Sequence, residues 1–201
     1  MNKFMTLSVA VSLLLAWATA TAAKCKYETD TTNLFTEEKI RWTKWDDFSF
    51  FNTQGGYIAA VAEGDRRYLA IQVVTRQDVP VRPTKEDLDT QVVIPAGSKL
   101  LILLADGSVV ELQTEVEVIG DSEIHAPGTW YNDNDSTMGF GDDYMIRTYA
   151  VIKYPLDEAA LAALTTQGVT TLRQTSSSGD KDYKINEKRV DRIQLALACV
   201  Q

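Results

Sequence analysis

One histidine, His125, stands among 201 residues, so no centre built on two or more histidines can form. The chain contains no HExxH, Walker loop, GxGxxG or GxSxG. Their absence removes the signatures of zinc peptidases, P-loop NTPases, dinucleotide-binding folds and serine hydrolases. Lysine and arginine never form a run, and 28 Asp and Glu outweigh 20 Lys and Arg to give a net charge of −8. Such a surface repels nucleic acid and anionic lipid, both of which bind through clustered cations. Repeats and an interdomain linker are also lacking, and no apolar stretch reaches the roughly 20 residues of a comfortable bilayer span.

The longest apolar run is N-terminal. Met1-Asn2-Lys3 supplies a short positive start, Leu7 to Trp17 is apolar except for Ser8 and Ser12, and Ala20-Thr21-Ala22 and Thr21-Ala22-Ala23 are small-x-small cleavage sites. This is the three-part pattern of a signal peptide covering residues 1–23. A lipid-acceptor cysteine would need a small residue just before it and a leucine three before. Cys25 instead follows Lys24, with Ala22 at the third position. The expectation is a soluble mature chain of residues 24–201, periplasmic or secreted, with no membrane span after cleavage. At 178 residues that chain suits a single β-rich domain burying about 70% of its unfolded surface. Loss of Lys3 leaves 19 basic against 28 acidic residues, a net −9. The two cysteines, Cys25 and Cys199, sit at opposite ends of the mature chain. An isolated pair in an oxidising compartment is expected to bridge.

Turns and periodicity predict an α+β fold, predominantly antiparallel β-sheet with two short helices near the C-terminus. Residues 37–51 carry Ile40, Trp42, Trp45, Phe48 and Phe50, a run with β character. Residues 57–62 and 67–74 flank Gly64-Asp65 as a hairpin. In a second hairpin, residues 98–119, Asp106-Gly107 is read as a two-residue turn. Pairing outward then sets Leu103 against Val110 and Leu101 against Leu112, with Thr114, Val116 and Val118 continuing the buried face. Residues 144–154 read as a strand. Asp157 caps a helix that Gly168 ends, with Leu156 and Leu161 as a hydrophobic staple. Val169 to Arg173 and Tyr183-Lys184-Ile185 read as strands about a polar turn at 175–180. Asn186 caps the last helix, whose stripe of Val190, Ile193, Leu197 and Val200 faces the core. Residues 76–91, with a short helix capped by Thr84, and residues 120–143 read as long connections.

Few residues carry chemical promise. A Ser-His-Asp triad would have to use His125, which stands beside Ala126-Pro127-Gly128 and reads as a loop histidine. Ser178-Gly179-Asp180-Lys181 matches S-x-x-K, but in a turn rather than at the start of a buried helix, so we treat it as chance. The segment 130–143 holds Asp133, Asp135, Asp142 and Asp143, carboxylates that can wrap Ca²⁺. An EF-hand counted from Asp133 fails, because Met138 occupies the glycine position and Tyr144 the final glutamate position. An irregular Ca²⁺ site and plain turn chemistry both fit these residues. Trp130 and Tyr131 beside them can stack on a sugar or pack on the core. No other cofactor is implied. Glycosidases work with two carboxylates alone, but nothing selects a pair among the 28 acidic residues.

Cys25-Lys26-Tyr27-Glu28, Asn33-Leu34-Phe35-Thr36-Glu37-Glu38-Lys39-Ile40, the Asp106-Gly107 hairpin, Tyr154-Pro155-Leu156-Asp157 and the closing helix with Cys199 together resemble a loose group of uncharacterised secreted proteins of Gram-negative bacteria. The resemblance covers much of the mature chain in order, through short motifs. It implies a β-rich fold with paired terminal cysteines and no activity, and the Asp-rich loop departs from it. The leading expectation is a non-catalytic exported binding or interaction protein for an unknown protein or small-molecule ligand. The alternatives are a Ca²⁺- or carbohydrate-binding protein using 130–143, or a carboxylate-based hydrolase.

Overall fold

The run Tyr57-Ile58-Ala59-Ala60-Val61-Ala62 has no polar alternation, which in a strand means burial on both faces. The computed structural model, which describes residues 25–51, 54–88, 92–127, 130–131, 137–139, 143–176 and 179–201, places that run at the centre of the larger sheet. In chain order the elements are β1 (Tyr27–Thr32), β2 (Lys39–Thr43), β3 (Asp46–Phe51), β4 (Gln54–Glu63) and β5 (Arg66–Val79). Next come α1 (Lys85–Leu88), β6 (Val93–Ile94), β7 (Lys99–Leu104), β8 (Val109–Gln113), β9 (Val118–Ile119) and β10 (Asp121–His125). After them follow β11 (Trp130–Tyr131), β12 (Thr137–Gly139), β13 (Tyr144–Leu156), α2 (Glu158–Thr166), β14 (Val169–Ser176), β15 (Gly179–Lys184) and α3 (Glu187–Ala198).

Seven strands form one antiparallel sheet in the order β1-β2-β4-β5-β13-β10, with β3 also pairing β4. β2 takes residues 61–63 of β4 and β3 takes residues 54–58. Between them the chain leaves the ladder, and the Ala60 N–H donates instead to the Thr43 hydroxyl, at 2.9 Å. A buried amide is thereby satisfied where the strand breaks. A second sheet of four strands runs β15-β14-β7-β8. The two sheets share one core: Ile58, Leu69, Ile71, Ile152 and Tyr154 from the first meet Leu100, Ile102, Leu104 and Leu172 from the second. Tyr154 is wholly buried there, and that burial pushes its hydroxyl up to about 12. On the other face of β4 and β5, Ala59, Val61, Tyr68 and Ala70 pack under Trp42 and Trp45. Lys153 pairs with Glu63 over this layer, 5.1 Å from the Trp42 ring.

Both C-terminal helices start where the sequence places them. The Asp157 carboxylate accepts from the Ala160 N–H at 2.7 Å, and the Asn186 side chain from the Lys188 N–H at 3.0 Å. Ile193, Leu197 and Val200 of the predicted stripe are buried in the core. Arg189 and Arg192 tie α3 to Asp47 and Asp46 of β3. Gly168 follows the helix end at Gln167, but its role is not a left-handed cap. A Cβ there would meet a methyl of Val190 at 2.8 Å, so glycine admits the approach of α3. Cys25 and Cys199 form the expected bridge, with Cα atoms 5.7 Å apart. The Tyr27 hydroxyl adds a hydrogen bond to the Cys199 carbonyl at 3.0 Å. The short helix after Thr84 is also present, Thr84 donating to Asp87 from both its backbone N–H and its hydroxyl.

The second hairpin differs from its sequence reading by one residue of register. Leu103 pairs Val109 and Ile102 pairs Val110, so the loop is Ala105-Asp106-Gly107. The Asp106 carboxylate accepts from both the N–H and the hydroxyl of Ser108, and only Gly107 takes positive φ, at 85°. That is a three-residue turn closing on a left-handed glycine, not the two-residue turn expected. Because side chains alternate, one residue of slip exchanges the faces. Leu100, Ile102 and Leu104 face the core, while Leu101 and Leu103 share the outer face with Glu111 and Val109. Val116, expected inside, is 62% exposed.

The long connections are also shorter than expected. β5 runs on to Val79, and β14 and β15 extend through much of the turn assigned to 175–180. Within 120–143, β10 is an edge strand pairing residues 145–149 of β13. The leader expected at 1–23 lies outside the described residues. No helix among the described residues is long and apolar enough to cross a membrane.

Candidate functional site

The segment singled out for Ca²⁺ or sugar lies largely beyond description. Asp133, Asp135 and Asp142 fall outside the described residues. Asp143 is exposed just before β13. Trp130 and Tyr131 form β11, which pairs β12 with Trp130 opposite Gly139. Among the described residues, no three His, Cys, Asp or Glu side chains converge as a metal site would require.

His125 is not in a loop. It ends β10 opposite Met145, with its side chain 17% exposed and Nε2 3.8 Å from a Glu123 carboxylate oxygen. Glu123 lies opposite Arg147, and Arg147 lies opposite Arg76, so charged side chains cross three strands on one face. The Arg147 guanidinium sits 4.8 Å from the Tyr149 ring centre, and Arg76 pairs with Asp78 at 3.4 Å. The hydroxyls nearest in sequence face away. Ser122 and Thr148 hydrogen-bond to each other at 2.7 Å on the opposite face of the sheet, as strand alternation demands. A nucleophile from Ser122 therefore cannot reach His125. Lys181 of the S-x-x-K string stands in β15 opposite Gln174 rather than on a helix, and Ser178 lies outside the described residues.

The carboxylates with displaced acidity are also the wrong kind for a general acid. A hydrogen bond from the Thr84 backbone holds Asp87 below its ordinary range, and one from the Ser108 hydroxyl does the same for Asp106. Lys99 lowers Glu111, and Arg173 lowers Asp182 through hydrogen bonds of 2.6 and 2.7 Å. A glycosidase acid needs a carboxyl raised toward neutrality.

The most distinctive surface feature is one that apolar counting passes over. Leu34 and Phe35 are 91% and 97% exposed at the tip of the β1–β2 hairpin. The tip is closely bonded. The Asn33 side-chain oxygen accepts from the Phe35 and Thr36 N–H groups, at 2.9 and 3.3 Å. The Asn33 N–H donates to the Glu38 carbonyl, and the Glu37 N–H donates back to Asn33 at 2.8 Å. At its base the Gly64 N–H donates to the Lys39 carbonyl at 2.9 Å, anchoring the tip to the β4–β5 turn. Glu37 closes the loop at φ +58°, the one described non-glycine residue with positive φ. Holding a branched-free but bulky side chain there costs of order 1 kcal/mol. Leaving Leu and Phe in water forgoes about 1.5–3 kcal/mol of burial for each. In sequence, the one signal was an apolar pair with neither helical nor strand period, set between Asn33 and Thr36-Glu37-Glu38.

The fold is that of a disulfide-closed antiparallel β protein with its last helix laid across the sheet. No protein-family model, curated protein or solved structure matches the chain.

Proposed function

We propose that this chain is an exported, non-catalytic interaction protein whose contact element is the β1–β2 tip. The carrying observation is the nearly complete exposure of Leu34 and Phe35 on a turn that five backbone and side-chain hydrogen bonds hold in one shape. Preorganised apolar anchors are what binding favours, because little conformational entropy remains to be lost on contact. A terminal disulfide belongs to an oxidising compartment, in keeping with a cleaved leader at 1–23 and a periplasmic or secreted location. The test is photocrosslinking in the native host, with a benzophenone side chain at position 35 and, as control, at the exposed Val81. A discrete adduct at 35 and none at 81 is expected. Equal labelling at both positions, or a turnover abolished by one Asp, Glu or Ser substitution, overturns the proposal.

A further inference from the structure

We infer that the tip's partner is a protein whose apolar pocket is rimmed by lysine and arginine; the inference rests on the reading of the tip just proposed. Three occupants compete for an exposed Leu-Phe pair: a membrane, a second copy of this chain, and another protein. Charge decides among them. Glu37 and Glu38 adjoin the apolar pair and, like Asp30 and Glu28 further along β1, are exposed. Lys39 and Arg41 are both drawn to Asp30, at 3.3 and 3.7 Å. Glu37 and Glu38 therefore remain as an acidic collar beside the apolar pair, with no described cation paired to either. A bilayer surface with anionic lipid repels that collar just where Phe35 would insert.

A second copy fares no better. β1 is the free edge of its sheet, and a twofold antiparallel contact centred on Thr29 would set Glu28 of each copy against Asp30 of the other. The chain as a whole carries a net charge of −8, so another copy also presents the collar with a surface of its own sign. Lys99, Arg173, Arg189 and Arg192 are each engaged by a carboxylate of their own chain. What complements a rigid Leu-Phe knob with two adjoining carboxylates is a greasy pocket with basic residues at its lip. In such a complex the aromatic anchor supplies affinity, while the collar steers approach and selects the partner.

The test separates the partner's chemistry from the tip's role. The paired reversal Glu37→Lys with Glu38→Lys keeps Leu34, Phe35 and a β-carbon at every position, and its melting temperature is checked first. Crosslinking through position 35 is expected to fall about tenfold in the reversal and to weaken as salt rises. The identified partner is expected to carry Lys or Arg beside the crosslinked residue. Sedimentation with vesicles of phosphatidylcholine, with and without phosphatidylglycerol, is expected to leave the protein in the supernatant as a monomer. If Leu34→Ser abolishes the adduct formed through position 35 while charge reversal leaves it intact, the tip binds and the basic rim is wrong. Co-sedimentation with either vesicle, or a crosslinked dimer of this chain, overturns the inference in favour of that occupant.

Discussion

Opening the Cys25–Cys199 bridge removes a closure across 174 residues while leaving the last helix seated by its side chains. Ile193, Leu197 and Val200 stay in the core, Arg189 still reaches Asp47, and Tyr27 still bonds the Cys199 carbonyl. The native state should therefore survive, and the loss should fall mainly on the unfolded side, where the chain regains its freedom. For a loop of this size the chain-entropy relation gives about 5 kcal/mol. At roughly 2–4 °C per kcal/mol for a chain of this length, the melting temperature of Cys25→Ser with Cys199→Ser should drop by about 10–20 °C. Scanning calorimetry measures the drop, and circular dichroism at room temperature should match the parent. A fall of less than about 3 °C would refute the entropic reasoning. A variant already unfolded at room temperature would instead show that α3 depends on its covalent link for docking.

Three further outcomes follow from packing and charge. Leu100→Ala should cost about 3–5 kcal/mol in denaturant melts, whereas Leu103→Ala, 40% exposed in the native protein, should cost under about 1 kcal/mol; equal losses would restore the register expected from a two-residue turn. Gly168→Ala should destabilise by about 1–3 kcal/mol by crowding Val190, and adding Val190→Ala should recover part of it; no recovery in that cycle would place the clash elsewhere. Asp182 titrates below its ordinary range because of Arg173, so its contribution is complete above the unfolded carboxyl's value near 4 and fades as pH falls through the folded value. The stability gap between parent and Asp182→Asn should accordingly shrink between about pH 5 and pH 2; a gap independent of pH would exclude the ion pair as its source.

Helix starts, the terminal bridge and the Gly64-Asp65 turn were legible because each depends on a few neighbouring residues or on a count of two. Asp157 and Asn186 cap as their side chains dictate, and positive φ at Gly64 suits a tight turn. The hairpin register was not legible, since Asp-Gly serves turns of two and of three residues. What distinguishes them here is Ser108, whose N–H and hydroxyl both claim the Asp106 carboxylate. β10 was missed for a related reason. Asp121-Ser122-Glu123-Ile124-His125 is a polar edge strand, and its identity comes from the ladder with residues 145–149 rather than from propensity. The exposure of Leu34 and Phe35 was hidden because composition says what is apolar, not whether anything stands close enough to cover it.

The joined ends make the fold a loop of chain with no natural beginning. A gap of 5.7 Å between the two Cα atoms is within reach of one or two residues of ordinary peptide. A circular permutant could thus replace the sulfur link by backbone and open at Ala105-Asp106-Gly107, keeping every strand pairing except the turn that joins β7 to β8. Such a protein would fold in a reducing cytosol, and it would present the Leu34-Phe35 knob on a scaffold that no longer needs an oxidant to close.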